Sequence, residues 1–279
     1  MSDNWIVANL ENAFATWNDK MAEIWGLVTM SPQNFKGGAI WSIVTNINGA
    51  LQAIGYGLLI LFFAMSIFKS TASFRDFQRP EYALKHFIRF VAAKVAITYS
   101  MDIITTIYTI CGGIVSQIAN SLGGIGGAAV TLPAAIETAV EDAGFWASIP
   151  LWLVTILGSL FITVMSCIMI MTVYGRFFRL YMYTALAPVP LSAFAGEGTS
   201  QMGKAFIKSY VGVCLEGAVI VLACLIFSTF ASASTPTIDT SITTVTMIWK
   251  YIGEVKFNML VLLGLIKGAD RICHEMLGI

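Results

Sequence analysis

Charge is what this sequence has least of. Only 11% of its 279 residues are Asp, Glu, Lys or Arg, where a soluble domain carries about 25%. So few charges cannot cover a water-facing surface, and a mean hydropathy of +0.77 makes lipid the solvent for much of the chain. Histidine is scarcer still: His86 and His274 are the only two, and both lie in basic segments rather than apolar runs. That leaves the apolar segments without a Ser–His pair or a HExxH helix, and no paired-aspartate motif replaces them. No Gly-rich loop is followed by Lys-Ser or Lys-Thr. The run Gly123 to Gly127 (GGIGG) has no such context, so a nucleotide-driven motor is excluded. The cysteines (Cys111, Cys167, Cys214, Cys224 and Cys273) form no CxxC pair and mostly sit in apolar stretches. Reduced, buried thiols are the expectation. Neither enzyme, cofactor nor metal is expected. The opening residues Met1 to Trp5 also lack the basic and apolar parts of a cleavable signal peptide, so internal segments are expected to drive insertion.

What the sequence does have is long apolar runs. A bilayer core about 30 Å thick needs roughly 20 helical residues. Residues 41–68, 91–116, 151–174 and 210–231 meet that need. A fifth stretch, 247–266, is weaker because Glu254 and Lys256 fall inside it. Residues 180–194 are apolar but short, and Pro188 and Pro190 break them, since proline removes a helix donor and clashes with the preceding turn. Broken backbone at membrane depth survives only when protein or a wet cavity covers it, so this segment reads as re-entrant or interfacial. The fold class expected is all-α: a polytopic helical membrane protein of about five spans. Residues 31–279 form the single membrane domain and 1–30 an outer helix.

Orientation follows from Lys and Arg placement. Lys69, Arg75, Arg79, Lys85 and Arg89 lie between spans one and two. Arg176 and Arg179 follow span three, Lys204 and Lys208 precede span four, and Lys267 and Arg271 are in the tail. With five spans all of these face one side, whereas 119–149 and 232–246 hold no Lys or Arg. The N-terminus is then outside and the C-terminus cytoplasmic. Trp5, Trp17, Trp25, Trp41, Trp146, Trp152 and Trp249 all fall at or beyond the outer boundary, in keeping with interfacial tryptophan.

In the first thirty residues Ile6, Leu10, Phe14, Trp17, Met21, Ile24 and Val28 recur every three or four positions, with Asp3, Glu11, Asp19 and Glu23 mainly off that stripe. This is an amphipathic helix, ended at Ser31-Pro32. Its acidic face argues against attraction to anionic lipid, so contact with protein is favoured over the outer leaflet. A short helix is expected from Pro133 to about Asp142.

Several polar residues inside the spans invite a role. Lys94, Thr98, Asp102, Thr105, Thr109 and Ser116 follow helical spacing on one face of span two. A mid-span carboxylate is normally paired or functional. The stripe is either the wall of a conduit or a packing face in which Thr98 and Thr106 satisfy Asp102. Gly49, Ala53 and Gly57, beside Asn48, Gln52 and Tyr56, form a face where helices approach closely, within the chain or between copies. Glu216 and Glu254 are further membrane acids, the latter four residues from Asn258. Tyr174, Phe177, Phe178, Tyr181 and Tyr183 around Arg176 and Arg179 read as a structural interface anchor.

Three stretches carry a family resemblance: 39–57 (AIWSIVTNINGALQAIGYG), 80–94 (PEYALKHFIRFVAAK) and 174–196 (YGRFFRLYMYTALAPVPLSAFAG). The last continues to Gly203–Phe206 and Cys214–Gly217. The Ala-Pro-Val-Pro break behind an Arg/aromatic anchor is the most specific element. From about residue 39 onward the chain resembles the TrbL-type polytopic subunit of type IV secretion and conjugation systems, in the compact form of Gram-positive conjugative elements. The resemblance implies a structural subunit of the translocation channel in the cytoplasmic membrane, assembled as a homo-oligomeric ring. Its partners would be the system's ATPases, coupling protein and channel components, with a DNA–protein substrate in transit. Lys69, Arg75, Arg79, Lys85 and Arg89 would then be a docking loop, or simply topology determinants. The competing class is an ion-coupled transporter or channel using Asp102, Glu216 and Glu254.

Overall fold

Apolar residues at helical spacing dominate the sequence, and backbone in lipid must satisfy its own hydrogen bonds; the chain meets both demands with helices. The structure is a computed structural model that describes residues 5–71, 80–121, 130–141, 145–233 and 242–279. Among these the elements are α1 (Trp5–Thr29), a 3₁₀ turn (Pro32–Gly38), α2 (Ala39–Thr71), α3 (Pro80–Thr98), α4 (Ser100–Ser121) and α5 (Ala134–Glu141). They continue as α6 (Phe145–Leu186), α7 (Pro188–Ser192), a 3₁₀ turn (Ala193–Ala195), α8 (Ser200–Ala233) and α9 (Thr244–Leu277). Four segments are helical, long and apolar enough to cross a membrane: Pro32–Lys69, Ser100–Asn120, Ile149–Leu186 and Ser200–Phe230. The protein is thus an all-α polytopic membrane protein. Helix α9 covers the fifth expected span, but Lys250, Glu254 and Lys256 keep it out of that apolar class.

Two boundaries differ from expectation. The second expected span, 91–116, is divided at Tyr99 between α3 and α4. Hydrogen bonds still cross the junction, from Tyr99 N to Val95 O and from Ile103 N to Tyr99 O, both 2.9 Å. The Thr98 hydroxyl donates back to Lys94 O at 2.9 Å, a bond that bends helices. The Pro-broken segment also begins later than residue 180. Nothing before Ala187 interrupts α6, which runs to Leu186. Pro188 and Pro190 fall in the first turn of α7, where backbone N–H groups have no helical partner anyway.

The chain forms two compact units. The first comprises Met1–Thr29, Ser116–Tyr174 and Val219–Ala269. Its α1 buries Ile6, Leu10, Phe14, Trp17, Met21, Ile24 and Val28. The stripe expected to meet a leaflet or a partner is therefore covered by the chain itself. Polar ties fix that placement. The Asn18 amide donates to Val130 O and accepts from Val130 N, each at 2.9 Å. Tyr174 donates to Glu23 at 2.7 Å, and Trp5 stacks on Trp152 at 5.9 Å. The helix expected from Pro133 is α5, which buries Ile136 and Val140. On α9, Lys256 lies over the rings of Phe161 at 5.6 Å and Trp249 at 5.7 Å. Its charge thus meets aromatic faces rather than hydrocarbon.

The second unit comprises Met30–Val115, Gly175–Ala218 and Asp270–Ile279. The chain enters it through a tight turn in which Lys36, Gly37 and Gly38 have φ of 49°, 74° and 78°. Glycine suits this left-handed backbone, and a Cβ on Gly38 would sit 3.0 Å from Gln33 O. The turn is anchored by Phe35 stacked on Phe177 at 4.4 Å and by Tyr181 donating to Pro32 O at 2.8 Å. Leu59, Ile97, Ile104, Leu180, Leu191 and Val213 share one buried core. Where α2 crosses α7, a Cβ on Gly55 would lie 2.9 Å from Pro188 O. A glycine there lets two backbones touch.

Candidate functional site

Polar groups inside an apolar core need partners, and the second unit supplies them at three places. The first is an arginine–carboxylate network. Of two arginines three apart on α6, Arg179 reaches Glu216 of α8 and Asp270 near the end of α9, and Arg176 reaches the α8 backbone. Glu216 is 1% exposed. Arg179 Nη2 lies 2.7 Å from both of its oxygens, and Nη1 lies 2.5 Å from Asp270 Oδ1. His274 Nε2 stands 3.6 Å from the same Asp270 oxygen. Arg176, also 1% exposed, donates to the carbonyls of Val213 and Cys214 at 3.3 Å each, while its Nη1 meets no hydrogen-bond partner among the described residues. Gly217 makes room for that guanidinium, because a Cβ there would fall 2.6 Å from Nη2.

Of this network only Glu216 stood out in the sequence as a membrane acid; the arginines read as an interface anchor and Asp270 was not singled out. A buried carboxylate with Arg-x-x-Arg elsewhere in the chain was the available signal.

The second place is an amide clamp. Asn48, fully buried, donates to Thr184 O at 2.7 Å and accepts from the Ser100 hydroxyl at 3.0 Å, tying α2, α4 and α6 together. Nearby, Tyr56 and Thr98 hydroxyls are 2.8 Å apart, and Gln52 donates to Thr98 O at 3.3 Å. The Thr98 hydroxyl is therefore spent on Tyr56 and Lys94 O. It does not satisfy Asp102. The remaining stripe residues are outward: Lys94, Asp102 and Thr109 are exposed and Thr105 partly so. Gly49, Ala53 and Gly57 are exposed as well, and added Cβ atoms at both glycines would meet nothing within 4 Å. Among the described residues no helix packs on that face.

The third place is the basic end of α3. Glu197 Oε1 lies 3.1 Å from Lys85 Nζ and 2.9 Å from Arg89 Nη2. The Glu197 N–H donates to Ser66 Oγ, itself 3.3 Å from His86 Nδ1. The two basic partners hold the Glu197 carboxyl below its ordinary range. Two of the five basic residues expected to dock a partner thus share one carboxylate within the chain. Lys69 is exposed, and Arg75 and Arg79 lie outside the described residues.

Glu254 belongs to the first unit and is partly buried. No cluster of three or more His, Cys, Asp or Glu able to hold a metal occurs among the described residues. Chemically the arrangement holds charges in place. Residues 17–188 match the family described as TrbL/VirB6 plasmid conjugal transfer like protein. No curated protein and no solved structure matches the chain.

Proposed function

Since the chain belongs to the TrbL/VirB6 plasmid conjugal transfer like family and is a component of a conjugal transfer system, we propose that it is a structural subunit of the translocation channel. It sits in the cytoplasmic membrane, N-terminus outside and C-terminus inside, as copies assembled with the secretion ATPases, the coupling protein and other channel subunits. Energy comes from those partners and the cargo is DNA with attached protein. The observation that supports this most is the outward polar face of α3 and α4. Lys94, Asp102 and Thr109 stand on the surface of a membrane protein, uncovered by any helix among the described residues, and intramembrane charge is costly against lipid. That face is made for protein or for a passage.

Five spans support the orientation. With α9 crossing, Lys69, Lys85, Arg89, Arg176, Arg179, Lys204, Lys208, Lys267 and Arg271 share the inner side. The cation–aromatic contacts of Lys256 lower the objection to α9 as the fifth.

The transporter reading loses one of its three acids, since ion coupling needs carboxylates free to exchange protons or ions and Glu216 is held by Arg179. The test is isolation of the tagged chain from donor membranes, followed by reconstitution alone in liposomes. The proposal expects secretion subunits to accompany it and no solute or ion flux from the chain by itself. A chain that comes alone and conducts would overturn it.

A further inference from the structure

Two outward faces of the second unit carry polar and small residues, including two polar groups that lipid would leave unsatisfied, Asp102 and Asn46. On α4 they are Asp102, Thr106 and Thr109; on α2 they are Ser42, Thr45 and Asn46, continued by Gly49, Ala53 and Gly57, all exposed. Among the described residues the Asp102 carboxylate has no hydrogen bond or ion pair within the chain, and neither has the Asn46 amide. Each lies in a segment long and apolar enough to cross a membrane.

Their depths match. Asn48 and Ser100 are hydrogen-bonded at 3.0 Å and so stand at one level. Helix α2 runs toward Thr71, and α4 runs the opposite way past Asn48. Asp102 is two residues beyond Ser100 and Asn46 two residues before Asn48, each about 3 Å from that level in the same direction at 1.5 Å per residue. Thr106 and Ser42, six residues out on each helix, match in the same way. The Asp102 carboxylate of one face thus stands at the depth of the Asn46 amide of the other. Copies related by an axis along the membrane normal keep every residue at its own depth, so this register is transferred unchanged from one copy to the next.

We propose that these faces are the two halves of a contact between copies of this chain, α2 of one against α3–α4 of another, with the Asp102 carboxyl accepting from the Asn46 amide. This rests on the self-association in the reading above and names its surface. A water-lined wall would explain Asp102 but gives no reason for Gly49, Ala53 and Gly57, which let backbones approach. Polar pairs across helices then satisfy what lipid cannot.

The test is disulfide crosslinking in donor membranes between two differently tagged full-length copies, each with the exposed Cys167 changed to Ser. One copy carries Asn46→Cys and the other Asp102→Cys. The expected result is an oxidant-dependent shift to dimer mass that joins both tags. Gly57→Cys against Asp102→Cys, displaced by about 16 Å along the normal, gives loss of that band. Ser42→Cys against Thr106→Cys is a second matched pair that serves if Asp102→Cys fails to accumulate. The proposal is overturned if the matched pairs do not join the tags, or if the displaced pair joins them equally. Ready labelling of Asp102→Cys by a charged, membrane-impermeant maleimide also overturns it and places water on that face. DNA transfer measured with the unsubstituted chain separates the two readings. If transfer depends on the chain and the crosslink is absent, the contact alone falls.

Discussion

Arg179 Nη2 lies 2.7 Å from both oxygens of Glu216, a carboxylate 1% exposed on α8. The same guanidinium holds Asp270, so one side chain of α6 fixes α8 and the tail together. A buried ion pair of this kind is weak as a net stabiliser, but removing one partner strands the other.

Glu216→Ala is therefore expected to destabilise the chain by about 3–5 kcal/mol, read as a lower temperature at which the detergent-extracted protein aggregates. Insertion persists while DNA transfer drops. Replacing both partners, Arg179→Leu with Glu216→Leu, recovers part of the stability, because no buried charge is left unpaired: Asp270 loses Arg179 but is 40% exposed and keeps His274 nearby. A single variant as stable as the parent, or a double variant worse than either single one, would contradict the account.

Gly217 gives a steric prediction. In Gly217→Ala the new methyl group lands 2.6 Å from Arg176 Nη2, and overpacking of this sort costs about 1–3 kcal/mol. Gly175→Ala, with nothing within 4 Å of its Cβ, serves as the comparison in the same thermal assay. Equal behaviour of the two would remove Arg176 from its place against α8.

Asn48 has both ends of its amide engaged. Asn48→Ala leaves the Ser100 hydroxyl without its acceptor and Thr184 O without this donor, and is expected to cost about 1–3 kcal/mol. Gln52→Ala, at a partly buried position with one 3.3 Å bond, costs less. Thermal aggregation of the two purified variants ranks them, and the reverse order would count against the clamp.

The pH prediction concerns Glu197, whose carboxyl is held below its ordinary value of 4.5 by hydrogen bonds from Lys85 and Arg89. A depressed carboxylate favours the folded state at pH values above its ordinary one, and that contribution fades as pH falls through the folded value. Thermal stability of the parent should thus decline below about pH 4.5 more than that of Glu197→Gln. Identical profiles would mean the pairing contributes nothing, as exposed ion pairs sometimes do.

Helix placement was largely legible, and for a plain reason: a stripe every three or four residues must be buried somewhere. It gave α1 with its seven buried stripe residues and the short α5. What it left open was the surface that buries them, which for α1 is the chain itself. The break at Pro188 was legible as a break, but its onset was not. Proline acts on the turn before it, and seven residues from Leu180 to Leu186 carry no signal against continuing α6. Partner choice across long sequence separations was the least legible part. Nothing in periodicity ties Arg179 to Glu216 and Asp270, or Lys85 and Arg89 to Glu197. The charge count read Lys85 and Arg89 only for the side of the membrane they face, and the fold sets both against Glu197. Asp102 shows the opposite case: its local threonines looked able to satisfy it, and Thr98 bonds Tyr56 instead.

The central claim, that this subunit is part of the channel through which DNA passes, is tested most directly by mating frequency. A donor with an in-frame deletion of the chain is compared with the same donor carrying a plasmid-borne copy. The account predicts transfer lost at normal growth and restored by the copy. Transfer at the parental frequency in the deletion would contradict it.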